Sequence, residues 1–201
     1  MKKEHISVFA VLSAMLMFVP VTSISVFAQQ EYRLNDLNST LVINGSSNLH
    51  NWSEKVQNMN CTAVFNLNNS AITEIKKVSF TCKVKDIQSD KSLMEKKTYS
   101  ALKQEEYPEI TFQSEKLVRL NMENNGNFNG VITGNLTIAG KTRQDTISFE
   151  GRIVDEGNIN VRGSVRISMS DFGIEPPTYL FGALKTDNDV TVDYNFNFVK
   201  Y

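Results

Sequence analysis

The side chains that most often carry chemistry are few in this 201-residue chain and lie far apart in the sequence. The two histidines are His5 and His50, and the two cysteines are Cys61 and Cys82. A site built from His50 and both cysteines would lack a good fourth ligand for tetrahedral zinc. Neither a Gly-x-Ser-x-Gly nucleophile elbow nor a glycine-rich phosphate loop occurs in the sequence. We therefore expect no catalytic residue, no bound metal and no cofactor.

The cysteines have a second possible chemistry, because an even number of cysteines in an exported protein suggests a disulfide. A hairpin centred between Ala71 and Ile72 would place Cys61 directly opposite Cys82 and would also pair apolar side chains of both strands. Opposite side chains have Cβ atoms about 4.5–5.5 Å apart, which a twisted sheet can shorten to disulfide length. Two buried free thiols are the alternative, and the register favours an intramolecular disulfide between Cys61 and Cys82.

His50 and Trp52, the one tryptophan, allow two interpretations. They could form a polar anchor and an aromatic wall at the mouth of a cavity. Alternatively they belong to a packed turn in which His50 bonds the backbone, and we favour this interpretation. The acidic side chains fall mostly at outward strand positions or in turns, so no inward-facing acidic pair is visible.

The beginning of the chain has the features of an export signal. Lys2 and Lys3 precede the almost wholly apolar residues 6–19, and Val26-Phe27-Ala28 ends in the small side chain typical of a cleavage site. An uncleaved anchor is the alternative, because residues 6–28 are long enough to span a bilayer, but polar residues near the end of this range favour cleavage. We expect cleavage after Ala28, which leaves one periplasmic or secreted domain over residues 29–201.

Charge gives little indication of a charged partner. The formal net charge is −1, and no long run of like charges occurs. The sequence therefore offers no electrostatic reason to expect binding to nucleic acid or to an anionic membrane surface.

The elements that must position these residues are mainly strands, because most of the chain after residue 28 alternates apolar and polar side chains with a period of two. Eight strands of one antiparallel sheet can close into a barrel whose interior fits side chains or one ligand. A sandwich is the alternative, and we favour an all-β barrel. The predicted strands lie near residues 41–44, 61–67, 78–84, 110–112, 132–138, 147–153, 161–169 and 190–198.

One short helix interrupts the strands. Ser92 and Glu95 have the spacing of a capping box, and Pro108 limits the helix because proline disfavours helical geometry in the residue before it. We expect this helix to lie across an end or a side of the barrel as a plug. One narrow stripe of the helix contains Met94, Thr98, Ala101 and Leu102.

Three glycines occupy inward positions of neighbouring predicted strands. A hairpin that pairs Ile138 with Ile147, followed by a second hairpin, would align Gly134, Gly151 and Gly163 in one row. Glycine in a strand interior costs roughly 0.5–1 kcal/mol, so a row of three needs a reason. The glycines could bend the barrel strands or make room for the tail of a ligand, and we favour bending slightly over room.

The connection between the last two predicted strands, residues 171–188, is long and unusually apolar. Loops with this much apolar surface are usually functional or packed as a cap. A lid over a cavity and a structural plug fit it equally well. Its apolar side chains are Phe172, Ile174, Tyr179, Leu180, Phe181 and Leu184.

Five segments follow one another along the chain: Leu49-His50-Asn51-Trp52, Met94-Glu95-Lys96-Lys97-Thr98, Glu106-Tyr107-Pro108, Gly134-Asn135-Leu136-Thr137-Ile138 and Asp171-Phe172-Gly173. In this order they resemble the YceI-like family of exported lipocalin-like proteins, in particular its branch with a Leu-His-Asp/Asn-Trp element. The resemblance runs from about residue 32 to the C-terminus and implies an eight-stranded antiparallel barrel with an elongated apolar cavity. It also implies an extracytoplasmic protein that binds a polyisoprenoid or isoprenoid quinone and has no defined catalytic site.

The sequence therefore predicts a binding or carrier protein for a long apolar lipid, with the membrane only as donor or acceptor. Two alternatives stay open: an enzyme that acts on such a lipid in the cavity, and a filled barrel that acts as a stress-response or interaction protein. The predicted ligand contacts are Phe65, Phe80, Phe112, Leu136, Phe149, Met169, Phe172, Phe181 and Phe196.

Overall fold

A computed structural model describes residues 29–68, 71–154 and 157–201. The predicted leader, residues 1–28, and its cleavage site lie outside these residues. The strands are β1 (Gln29–Leu34), β2 (Thr40–Ser47), β3 (Asn51–Val56), β4 (Met59–Asn68), β5 (Ala71–Lys83), β6 (Ile87–Gln88), β7 (Glu109–Met122), β8 (Asn127–Ile138), β9 (Lys141–Ile153), β10 (Ile159–Ser168), β11 (Thr178–Tyr179) and β12 (Leu184–Lys200), and the α-helix is α1 (Ser92–Ala101).

Eight antiparallel strands close into a barrel, as predicted. Their order is β1-β4-β5-β7-β8-β9-β10-β12, and β1 pairs back onto the end of β12 to complete the ring. The predicted strand at residues 41–44 is β2, which lies outside this ring, whereas the polar strand β1 inside it was not predicted. Alternation did not reveal β1 because its sequence, QQEYRL, buries only Tyr32.

One end of the barrel is continued by a second, less regular set of strands. β12 is 17 residues long and pairs with β1 only at its end, while its first half pairs with β2. β2 then pairs with β3, and β3 contacts β6 through two residue pairs. The barrel therefore has a lower half with eight closed strands and an upper half formed by β2, β3, β6 and the elements beside them.

The predicted glycine row is wrong because the turn between β8 and β9 is shorter than expected. Ala139 and Gly140 form a two-residue turn with φ values of 48° and 74°, the left-handed conformation that tight hairpins require. Ile138 therefore pairs with Lys141, and each glycine acquires a non-glycine partner. The observed pairs are Gly134 with Asp145, Gly151 with Phe128 and with Val161, and Gly163 with Tyr194.

The predicted disulfide is also wrong, since both cysteines are free and buried. The β4–β5 hairpin closes between Asn68 and Ala71, and two bulges in β5 then shift the ladder. As a result Cys61 pairs with Phe80 and Cys82 with Met59, two residues away from the predicted register. The hairpin turns two residues earlier than predicted, which by itself would move each partner by four residues. Each bulge inserts an unpaired residue into one strand and takes back one residue of this shift, and alternation reveals neither the turn position nor the bulges.

Helix α1 lies between β6 and β7 and is anchored to the upper half. Tyr99 Oη donates to the carbonyls of Lys85 and Ile87 at 3.0 and 2.9 Å. The predicted capping box is not formed: Lys91 is the N-cap, and Glu95 accepts instead from the amide of Ser89 at 3.0 Å. Among the described residues, no helix has the length and hydropathy to cross a membrane.

Candidate functional site

The interior contains two adjoining cavities, one in each half of the barrel. The upper chamber has a volume of about 320 Å³ and the lower chamber about 150 Å³. Five residues line both chambers and therefore lie between them, and we call these five residues the waist. The residues that line both chambers are Leu41, Phe80, Leu136, Ile167 and Val192.

The lower chamber is lined almost wholly by apolar side chains from the closed ladder. Its aromatic rings contact one another: the rings of Phe80 and Phe196 are stacked with centroids 5.9 Å apart, and Tyr194 lies 5.1 Å from Phe196. Six of the predicted ligand contacts lie in the wall of this chamber, although their contact with a ligand stays a prediction. They are Phe65, Phe80, Phe112, Leu136, Phe149 and Phe196.

The end of the lower chamber farthest from the waist has an aromatic floor. Phe65 contacts Tyr32 and Phe198 edge-on, with centroids 5.2 and 6.0 Å away. Tyr32 Oη donates to the carbonyl of Gly157 at 3.1 Å. The floor therefore depends on β1, because β1 supplies Tyr32.

The inward glycines of the lower half are covered by aromatic rings and leave no open room. A Cβ atom on Gly151 would lie 2.1 Å from Cζ of Phe128, its cross-strand partner, and one on Gly163 would lie 2.3 Å from Oη of Tyr194. The space that we expected for a ligand tail is thus filled by these rings. Gly130 and Gly134 lie in the same way against Phe149 and Phe112.

The upper chamber is closed by helix α1 and by the connection between β10 and β12. The predicted stripe of α1, namely Met94, Thr98, Ala101 and Leu102, lines this chamber together with Leu93. From the connection, Met169, Ile174, Pro177 and Leu184 also line it. The connection therefore does cover a cavity.

The remaining two predicted contacts of this connection do not reach the cavity wall. Phe172 is buried in the hydrophobic core but lines neither chamber. Phe181 is fully exposed, because its left-handed backbone (φ 55°) lies in the tight turn Leu180–Gly182. We therefore remove Phe181 from the predicted site.

Glu54 is a functional candidate that the sequence interpretation missed. It lines the upper chamber and is only 2% exposed. Burial raises the pKa of its carboxyl group, the hydrogen bond from Thr98 lowers it, and the charge of Glu95 raises it. Strand β3 was not predicted, but its alternation of Trp52, Glu54 and Val56, all of which line the chamber, would have indicated this inward carboxyl group.

His50 and Trp52 lie in a turn that borders the upper chamber. The backbone of His50 makes the hydrogen bonds of this turn, and a role of its side chain as a polar anchor stays a prediction. The His50 amide donates to Ser47 Oγ at 3.2 Å within a tight turn, and the exposed His50 side chain also lines the upper chamber. Trp52 covers Gly45, and its indole N–H donates to the carbonyl of Ser46 at 3.2 Å. These residues therefore form a structured turn at the chamber mouth.

The two thiols lie in different chambers. Cys82 lines the upper chamber and Cys61 the lower one. Burial raises the pKa of each thiol to about 12, so neither is a reactive thiolate near neutral pH. Within residues 29–68, 71–154 and 157–201, no three His, Cys, Asp or Glu side chains form a group able to hold a metal ion.

Comparison of the sequence with domain families gives a match to the YceI-like domain over residues 32–198. No curated protein sequence matches the chain significantly.

Several solved structures share the fold. BcnA from Burkholderia cenocepacia superposes with a TM-score of 0.63 at 14% identity, covering 82% of this chain and 98% of that chain. A polyisoprenoid binding domain from Saccharophagus degradans, implicated in plant cell wall breakdown, gives 0.63 at 12% identity, with 85% and 98% covered. A YCEI protein from Campylobacter jejuni gives 0.52 at 20% identity, with 70% and 81% covered. At these identities the likeness shows the fold alone.

Proposed function

This chain belongs to the YceI-like domain family, and from that premise we propose that it holds a long apolar lipid of the isoprenoid class inside its barrel. The observation that carries the proposal is the pair of adjoining, largely apolar chambers inside the barrel, which share five lining residues. Removing apolar surface from water contributes about 25 cal/mol per Å². A lipid tail in this space therefore needs few polar contacts, and the length and shape of the chambers select the ligand.

The two chambers suit different parts of such a lipid. The lower chamber, with its apolar walls and aromatic floor, suits the end of the tail. The upper chamber contains the polar side chains Glu54, Thr98 and His50 and suits the head. Its volume of about 320 Å³ falls in the range of about 300–1,000 Å³ that is typical of ligand pockets. The fold shared with a polyisoprenoid binding domain supports the isoprenoid class.

We also propose that the protein works outside the cytoplasm. The support is the signal-like sequence of residues 1–28, with its cleavage pattern Val26-Phe27-Ala28. In that compartment a carrier would take its lipid from a membrane and deliver it to another membrane or to a protein.

Binding fits the geometry better than the two alternatives do. A filled barrel would have no interior space, whereas this barrel contains chambers of about 320 and 150 Å³. An enzyme would need a positioned acid, base or nucleophile. The chambers bring together one buried carboxyl group, Glu54, and a thiol, Cys82, whose high pKa keeps it protonated.

Native mass spectrometry of the protein expressed with its own leader and gently extracted from the cell envelope tests both proposals. We expect Gln29 as the first residue, free or cyclised, and a non-covalently bound lipid. Protein that retains residues 6–19 would contradict export with cleavage, and consistently empty protein would contradict lipid binding.

A variant of the waist makes the test sharper. Val192 lines both chambers, so Val192→Phe adds a ring where a long tail would have to cross between them and should shift the bound lipids to shorter tails. Thr191→Phe, one position away on the alternate face of β12, is the matched control and should leave the distribution unchanged.

A further inference from the structure

We propose that Glu54 acts as a neutral carboxylic acid that donates a hydrogen bond to an uncharged oxygen in the head of the bound lipid. The upper chamber would then select isoprenoid alcohols, ketones or quinones over isoprenoid phosphates. This inference rests on the proposed lipid-binding function and assigns the chemistry of the head. It arises from the position of one side chain.

Glu54 reaches the chamber because of the register of β3. It lies opposite Ile43 in β2, and on its own strand it alternates with Lys55 toward solvent. Its neighbours on the inward face are Trp52 and Val56. A carboxyl group that is only 2% exposed among such apolar neighbours loses most of its hydration, which disfavours the charged form.

Thr98 of α1 fixes the orientation of this carboxyl group. The Thr98 hydroxyl oxygen lies 3.0 Å from Oε1 and 2.9 Å from Oε2 of Glu54. A hydroxyl group has one proton, so it can donate to one of these oxygens at a time. A protonated carboxyl group has one O–H donor of its own, which an acceptor in the chamber can take up.

The charged and titratable groups around Glu54 favour its neutral form. From α1, the charge of Glu95 opposes ionisation of Glu54, and the Tyr99 hydroxyl is already bonded to two backbone carbonyls. Across the chamber, the Cys82 thiol is protonated because its pKa is about 12. The basic residues His50, Lys91 and Lys185 line the chamber but are exposed at its mouth.

These surroundings discriminate between lipid heads by charge. An alcohol or a carbonyl group can accept the hydrogen bond from Glu54 without adding charge to the chamber. A phosphate beside Glu54 would place a negative charge among apolar walls and close to Glu95, whose charge already opposes ionisation of Glu54. An anionic head would therefore have to remain at the mouth, near His50 and Lys91, and would leave Glu54 without a ligand partner.

Two probes with the same tail test this selectivity in the lipid-free, folded protein: geranylgeraniol and geranylgeranyl diphosphate. Trp52 is the one tryptophan of the chain and lines the upper chamber, so quenching of its fluorescence reports binding directly. We expect the alcohol to bind at least about tenfold more tightly than the diphosphate at neutral pH, the size of effect that one charged-group mismatch produces.

Variants of Glu54 separate its chemistry from its packing. Glu54→Gln keeps a neutral donor and should bind the alcohol within about threefold of the wild type, whereas Glu54→Leu should lose about tenfold. Glu105→Gln, in an exposed carboxyl group that lines neither chamber, is the matched control and should retain the preference for the alcohol.

The pH dependence gives a readout that survives if Glu54→Leu does not fold. The donor proton is present below the raised pKa of Glu54 and is lost as pH rises through it, so affinity for the alcohol should fall over that range. Glu54→Gln should abolish this fall, because its amide does not titrate.

The outcomes distinguish the role of Glu54 from the proposed lipid binding on which it rests. Binding of both probes with equal affinity, or unchanged alcohol binding by folded Glu54→Leu, would overturn the role of Glu54 and leave lipid binding in place. A pH profile that is identical in wild type and Glu54→Gln would do the same. Wild-type protein that binds neither probe would overturn the proposed function and this inference together.

Discussion

The two halves of the barrel are built by different means. In the lower half, eight strands are closed by continuous backbone pairing, and aromatic rings cover the inward glycines. In the upper half, the wall consists of the short strands β3 and β6, helix α1 and turns, and it contains the buried carboxyl group of Glu54. A regular scaffold therefore supports a less regular part, which consists of β3, β6, α1 and the turns beside them and is called the roof here. The buried carboxyl group lies in the roof, as is common where a rigid scaffold positions functional loops.

The difference also concerns local stability. β3 and β6 share only two residue pairs, and α1 has no fully buried residue. Segments with few buried apolar contacts open at a lower free-energy cost than the core strands. We therefore expect the upper half to open locally while the lower half stays closed, which would let a lipid enter past the roof.

The largest expected effect comes from removing a ring of the lower half. Phe65→Ala should lower the free energy of unfolding by about 3–5 kcal/mol, because Phe65 is only 2% exposed and contacts Tyr32 and Phe198. Met94→Ala, in the roof, should cost about 1 kcal/mol, since Met94 is only partly buried. Urea unfolding of both variants measures the difference, and equal losses would contradict the contrast between the halves.

A smaller effect is expected where a glycine is covered by a ring. Gly151→Ala should destabilise the protein by about 1–3 kcal/mol, because the new Cβ would lie 2.1 Å from Cζ of Phe128. In a Phe128→Leu background this cost should fall below about 0.5 kcal/mol, since the ring that clashes is gone. A double-mutant cycle by urea unfolding decides: strictly additive costs would show that the ring does not need this glycine.

The smallest expected effect compares the two thiols. In native protein without reductant, Cys82 should be alkylated about tenfold faster than Cys61, which corresponds to a difference of about 1.4 kcal/mol in opening free energy. Cys82 lies beneath the roof and Cys61 in the lower chamber. Peptide mapping after timed labelling measures both rates.

The control for the thiol experiment is the unfolded protein. In denaturant without reductant both thiols should react fully and at similar rates. Faster labelling of Cys61 in the native protein would reverse the stability order of the halves, and two unreactive cysteines in denaturant would contradict the free thiols of the structure.

Much of the lower half could be predicted from the sequence because burial there is periodic. Every second residue of β8 is buried, from Phe128 to Ile138, and this pattern is visible in the sequence. Register was not predictable in the same way, because it depends on turn length and bulges. The short turn at Ala139 and the early turn of the β4–β5 hairpin moved Gly151 and Cys61 away from their expected partners, and the two bulges of β5 reversed only half of the shift at Cys61.

The roof was harder to predict because its elements are short. The stripe of α1 was found because four residues at helical spacing are enough to show one face. β3 has six residues and only three inward positions, one of which is charged, so it lacked an apolar alternation. Glu54 was missed for this reason. The apolar residues on either side of it, Trp52 and Val56, are the signal that would have placed it on the inward face.

The aromatic floor formed by Tyr32, Phe65 and Phe198 gives the cavity a fixed end. If the head of a lipid is held at Glu54 and its tail ends at this floor, the distance between Glu54 and the floor limits the length of the tail. The protein would then select lipids by their number of isoprene units. Strand β1, which closes the barrel and supplies Tyr32, would set the end of the cavity against which the tail stops. Shortening or enlarging the floor side chains should change the preferred tail in steps of whole units, because an isoprenoid tail grows five carbons at a time.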